Sequence, residues 1–98
     1  MNKRELFNLL NGESINVSEV TGAEIEVKSI VKVRDEEKNV IHFIDTDNKH
    51  YASIATGVVS GYNLLKAYDL LPTDNNTIKI MFFKREYDGG SFITFEVV

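Results

Sequence analysis

Eleven residues, EIEVKSIVKVR at 24–34, constrain the fold of this chain more than any other stretch. Branched apolar residues alternate with charged ones, which is the period of an extended strand with one face toward a core and the other toward water. Ile25, Val27, Val31 and Val33 are predicted to share one face, and Glu24, Glu26, Lys28, Lys32 and Arg34 the other. Ser29 and Ile30 break the alternation once each. After a turn, DEEK (35–38), the run NVIHFIDT (39–46) reads as a second strand. Asp47-Asn48 then connect it tightly to KHYASI (49–54), so these strands should form a meander. Upstream, SINVSEV (14–20) alternates at first and reads as a strand, before Gly22 interrupts. KRELFNLL (3–10) could form about two helical turns with Leu6, Phe7 and Leu10 on one face.

At residue 56 the period changes. Thr56 is the predicted N-cap of a helix over GVVSGYNLLKAYDLL (57–71). Val58, Tyr62 and Leu65 lie at helical spacing, as do Leu64, Tyr68 and Leu71. Pro72 follows, where helices commonly stop. Gly57 and Gly61 should weaken this helix by roughly 1 kcal/mol each relative to alanine if they lie in its interior. TIKIMFFKR (77–85) and SFITFEVV (91–98) read as a closing hairpin around EYDGGS, where Gly89-Gly90 suit a tight reversal. Ile78, Ile80 and Phe82 are expected inward, with Lys79, Met81, Phe83 and Arg85 outward.

The predicted class is therefore mainly β with one helix, after a short N-terminal helical turn. If 14–34 is one long strand bent at Gly22, the order β-β-β-α-β-β is that of an OB-fold, a small five-stranded barrel. An open antiparallel sheet carrying one helix fits the same order. The 98 residues make one domain. A domain this small buries only about 60–65% of its unfolded surface, which makes pairing with another copy useful. A homodimer or higher homo-oligomer is one expectation, with the apolar Val97-Val98 edge as a candidate contact. At 43% hydrophobic and 27% charged, the composition is that of an ordinary soluble protein. With no cysteine there are no disulfides or thiolate metal sites. MNKRELFNLLNGES is too short and too polar for a signal peptide. No apolar run approaches bilayer length. A cytoplasmic protein is expected.

The arrangement resembles the small single-stranded DNA-binding proteins of bacteriophages. The residues that carry the resemblance are INVSEVTG (15–22), KHYASIATG (49–57) leading into a helix that ends near a proline, and the last hairpin with aromatics on both arms. The resemblance implies an OB-like fold, single-stranded DNA as partner, a role in phage replication or recombination, and the cytoplasm of a bacterial host. Many such proteins end in a flexible acidic tail that recruits partners, whereas this sequence stops at FEVV. Any recruitment is expected to work otherwise.

Binding single strands needs flat side chains for stacking and cations for phosphates. The candidates are Lys32, Arg34, Lys49, Tyr51, Phe83, Lys84, Arg85, Tyr87 and Phe92. Phenylalanine and tyrosine in strands more often fill a core, and strand lysines usually serve solubility and edge protection. Only clustering in space raises the functional reading. The net charge of −4 would repel a polyanion at long range without forbidding a local basic face. The acids Asp35, Glu36 and Glu37 read as a solvated turn.

His42 and His50 match no zinc spacing, even with Asp45 or Asp47 as a third ligand, so no metal and no cofactor is expected. His42 should sit on a sheet face between apolar neighbours, and His50 should be exposed. There is no cysteine nucleophile, no Ser-His-acid order and no phosphate loop, and no enzyme activity is expected. The alternative function is a protein-interaction module, such as a phage inhibitor or accessory subunit acting on a host enzyme.

Overall fold

The structure, a computed structural model, describes residues 1–98 throughout. Helix α1 covers Lys3–Leu10, strand β1 Ile15–Asn16, and a 3-10 turn Val17–Val20. Then come β2 (Glu24–Asp35), β3 (Lys38–Asp45), β4 (His50–Ser53), α2 (Thr56–Ala67), β5 (Ile78–Tyr87) and β6 (Gly90–Val97). The strands form one curled, half-barrel sheet in the order β1-β4-β3-β2-β5-β6. All neighbours are antiparallel except the short parallel pair β1–β4. The protein is thus mainly β with two helices, and its sheet is open, with β1 and β6 at the edges.

Residues 14–34 are not one bent strand. Ahead of β2 only Ile15 and Asn16 are extended, and they pair with Tyr51 and Ala52, with β4 and β3 between them and β2. The Asn16 side chain accepts a hydrogen bond from the Ser18 N–H and caps the 3-10 turn. That turn drops Val17 fully into the core. A local side-chain bond of this kind offers the backbone an alternative to a ladder.

The long strand also departs from simple alternation. A bulge between Val27 and Ser29 inserts one residue and exchanges the two faces beyond it. Ile25 and Val27 are buried as expected. Past the bulge, Ile30 is the buried residue, paired with Phe43, while Val33 is 38% exposed. Val31 and Val33 therefore lie opposite to Ile25 and Val27. Lys32 and Arg34 share the face of Ile30, and the Lys32 Nζ lies 5.6 Å from the centre of the Tyr62 ring on α2.

Helix α2 starts one residue earlier than predicted, with Thr56 inside it and Ala55 preceding without a side-chain cap. It ends at Ala67 rather than at Leu71. Asp69 takes a left-handed conformation (φ 57°), and the Leu70 N–H bonds back to the Leu65 carbonyl. That is the six-to-one closure of a Schellman motif. Val58, Tyr62 and Leu65 are buried at the predicted spacing. They meet Phe43, Phe82 and Phe95, whose rings pack edge to face at centroid separations of 5.0, 5.6 and 5.8 Å. Such contacts add to simple area burial.

The two helix glycines have a packing reason. A Cβ on Gly57 would stand 2.4 Å from the Ile93 carbonyl oxygen, and one on Gly61 would stand 2.5 Å from Phe95 Cε1. Glycine at these positions lets α2 lie directly on β6, which would otherwise be a bare edge.

Candidate functional site

Strand β5 is longer than the sheet behind it. It pairs with β2 only over Ile78–Met81, and the Gly22 N–H donates to the Phe82 carbonyl. From Phe83 to Tyr87, β5 has β6 on one side and no strand on the other. The β5–β6 hairpin therefore extends as a two-stranded arm. Its register pairs Phe83 with Thr94, Arg85 with Phe92, and Tyr87 with Gly90. Cross-strand partners share a face. Phe83, Arg85, Tyr87 and Phe92 thus lie together on the side opposite Phe82 and Phe95.

These four side chains form one cluster. The Arg85 guanidinium lies 5.5 Å from the Phe83 ring centre, within cation–π range. The Tyr87 and Phe92 rings are 5.9 Å apart and tilted by 47°. Tyr87 is 59% exposed and Phe92 39%, while Phe83 is half-buried. Rings this open on a strand face are unusual, since burial is their main stabilising contribution. Phe92 also borders a groove of about 350 Å³ between α2 and β6, lined by Gly57, Ser60, Gly61, Leu64 and Thr94. Both helix glycines line it, at the close contact of α2 with β6. The G-x-x-x-G spacing in the sequence is the signal that could have disclosed it.

The remaining candidates are placed elsewhere. Lys84 is exposed but faces the other side of the arm, paired across from Ile93. Lys32 and Arg34 are exposed on β2. Lys49 sits in the β3–β4 turn, where its backbone N–H donates to Asp45 Oδ1 at 2.8 Å.

Tyr51 was expected to offer an open ring, and the structure corrects this. It is only 5% exposed, within the main core. Its hydroxyl donates to Asp45 Oδ2 at 2.8 Å. Burial, then the bond to Asp45 and the nearby carboxylate charge, push the phenol up to about 12. Asp45 also accepts from the Asp47 N–H, so it organises the turn rather than a metal.

The histidines form a pair of another kind. His42 Nδ1 lies 2.7 Å from His50 Nε2, with the rings stacked at 5.0 Å. His50 is 6% exposed, not the open residue expected. The Leu9 and Glu13 carbonyls face it from the end of α1, without closing a hydrogen bond to Nδ1. Both histidines titrate below the ordinary value of 6.5, first because burial disfavours the cation. His42 is lowered further by the charge on His50. Two nitrogens aimed at each other share a proton and leave no opening for a metal between them. No group of three or more metal-ligating side chains occurs in the chain.

The arm 83–92 carries Lys84 and Arg85 against Glu86 and Asp88, so its formal charges cancel. What distinguishes it is the aromatic cluster with one cation resting on it. No helix is long and apolar enough to cross a membrane. No family model, no curated protein and no solved structure matches this chain.

Proposed function

We propose that the protein binds single-stranded DNA through the β5–β6 arm, as the resemblance to bacteriophage single-stranded DNA-binding proteins implies. The observation that carries this reading is the cluster of Phe83, Arg85, Tyr87 and Phe92 on one exposed face. Tyr87 and Phe92 stack bases, Phe83 holds Arg85 in place, and Arg85 takes a phosphate. The groove beside Phe92 receives an unstacked base or sugar. The sequential order from β2 to β6, with α2 between β4 and β5, is consistent with an OB-like half-barrel whose last hairpin flanks the ligand. Because the arm is formally neutral, stacking supplies most of the affinity and sequence preference is weak. The protein then covers exposed strands during replication or recombination.

The second reading, a protein-interaction module, is supported by Leu64 and Tyr68. Leu64, in the last turn of α2, and Tyr68, just past its end, are 59% and 72% exposed.

Fluorescence anisotropy with a labelled, unstructured oligonucleotide at low salt separates the two. Stacking is worth roughly 1–3 kcal/mol per base, so Phe92→Ala and Tyr87→Ala should each weaken binding about tenfold while circular dichroism stays native. Unchanged affinity in the folded double variant removes this site. A wild-type protein that leaves the oligonucleotide free at low salt favours the interaction module.

A further inference from the structure

The free side of the arm has an order of side chains that complements itself. The Gly22 N–H reaches the Phe82 carbonyl from this side. Main-chain groups alternate along a strand, so the N–H and C=O of Lys84 and Glu86 point out of the same edge. Those of Phe83, Arg85 and Tyr87 serve β6. An edge of this kind is a template for another strand.

Consider FKREY (83–87) laid antiparallel against a second copy, about a twofold axis through Arg85. Lys84 then lies opposite the second copy's Glu86, and Glu86 opposite its Lys84. On the other face, Phe83 meets Tyr87 and Tyr87 meets Phe83. In this register the outward groups of Lys84 and Glu86 form a hydrogen-bonded pair. A shift of one residue sets outward groups against inward ones. A shift of two sets Lys84 against Lys84, or Glu86 against Glu86. Like charges directly opposite are destabilising; the chosen register carries one such pair, Arg85 with Arg85 at the axis, set against two Lys84–Glu86 pairs.

We propose that the protein dimerises through Phe83–Tyr87 of β5, joining two arms into a four-stranded sheet ordered β6-β5-β5-β6. The pairing is isologous, as a twofold contact requires. The other edges are less inviting: α2 lies on β6, β1 is only two residues long, and β2 past Val27, which also lacks a strand on its β5 side, carries the charges of Lys32, Arg34 and Asp35. Pairing edge to edge leaves both aromatic faces exposed on the same side. The two copies of Arg85 meet at the axis and call for an anion between them. That last point rests on the nucleic-acid reading; the dimer does not.

Sedimentation equilibrium in phosphate buffer, without nucleic acid, tests the pairing. Wild-type protein should populate a dimer. K84E and E86K each place two like-charged pairs across the axis, and each should raise the dimer dissociation constant roughly tenfold or more. Mixing K84E with E86K restores opposite charges at both positions and should recover the dimer, as should the double reversal in one chain. Wild-type protein that stays monomeric at millimolar concentration overturns the proposal. So do single reversals that associate as well as wild type. If instead the dimer forms but no oligonucleotide binds it, only the function proposed above fails.

Discussion

The contact between α2 and β6 gives a sharp prediction, because the helix propensity scale and the packing point in opposite directions. On propensity alone, Gly57→Ala and Gly61→Ala should stabilise the protein, by up to about 1 kcal/mol each. The structure predicts the reverse. At position 57 the new methyl would sit 2.4 Å from the Ile93 carbonyl oxygen and 3.0 Å from Phe92 Cδ2. The oxygen belongs to a strand paired with β5 along its length, so it cannot swing aside. At position 61 the methyl would sit 2.5 and 2.8 Å from two carbons of the Phe95 ring, about 1 Å inside ordinary contact distance. That ring is held by Phe43 and Phe82. Relief requires α2 to lift by about an ångström, loosening Val58, Tyr62 and Leu65. Overpacking of this kind costs about 1–3 kcal/mol. At position 57, in the first helical turn, little propensity is regained, so the net loss should be about 2 kcal/mol. At position 61 the regained propensity reduces the loss to about 1 kcal/mol. The double variant should lose less than the sum, because one displacement relieves both contacts. Urea unfolding should show the midpoint of Gly57→Ala reduced by about 1–2 M at unchanged slope. Asn63→Ala, exposed on the same helix, serves as control and should be neutral or slightly stabilised. A Gly57→Ala protein as stable as wild type would refute the close approach of α2 to β6.

Three further outcomes follow from the geometry. Tyr51→Phe removes the hydroxyl that donates to Asp45, and should cost about 1–2 kcal/mol in the same urea assay, since two backbone N–H groups still hold the carboxylate. His42 and His50 bind protons less readily when folded than when unfolded. The unfolded chain therefore takes up more protons as pH falls through 6.5, and stability should be full above that value and decline below it. A His42→Gln/His50→Gln variant should lose that decline, measured as unfolding midpoint against pH. Finally, the arm's cations are Lys84 and Arg85, so oligonucleotide affinity should depend weakly on salt, with a log–log slope no steeper than about −1.4 for two phosphates. A much steeper slope in an anisotropy titration would move the binding face to Lys32 and Arg34.

The parts of this fold legible in the sequence are those governed by period. The meander β2–β3–β4, the buried helix stripe of Val58, Tyr62 and Leu65, and the outward set of Phe83, Arg85 and Phe92 all follow from alternation or helical spacing. What the pattern concealed depends on contacts between distant residues or on local competition. The bulge at Lys28 leaves no compositional mark beyond the irregular Ser29-Ile30, yet it decides which face Lys32 and Arg34 occupy. The Asn16 cap diverts the chain into a 3-10 turn within a run rich in valine and isoleucine. Tyr51 is aromatic, in a strand and beside Lys49, which fits a stacking platform; only the register opposite Phe43 and the bond to Asp45 place it inside. His50 is likewise buried by the end of α1, a contact between residues some forty positions apart.

A bare strand usually invites endless addition, one molecule after another. Here both rims of the half-barrel are stoppered, one by the two residues Ile15 and Asn16, the other by a helix lying flush across it. A small molecule built largely of strands thereby keeps its neighbours from propagating a ribbon. The bare stretches that remain are Phe83–Tyr87 of β5 and β2 past Val27, and the latter carries Lys32, Arg34 and Asp35 as guarding charges, so crowding of this protein should end in pairs and not in filaments.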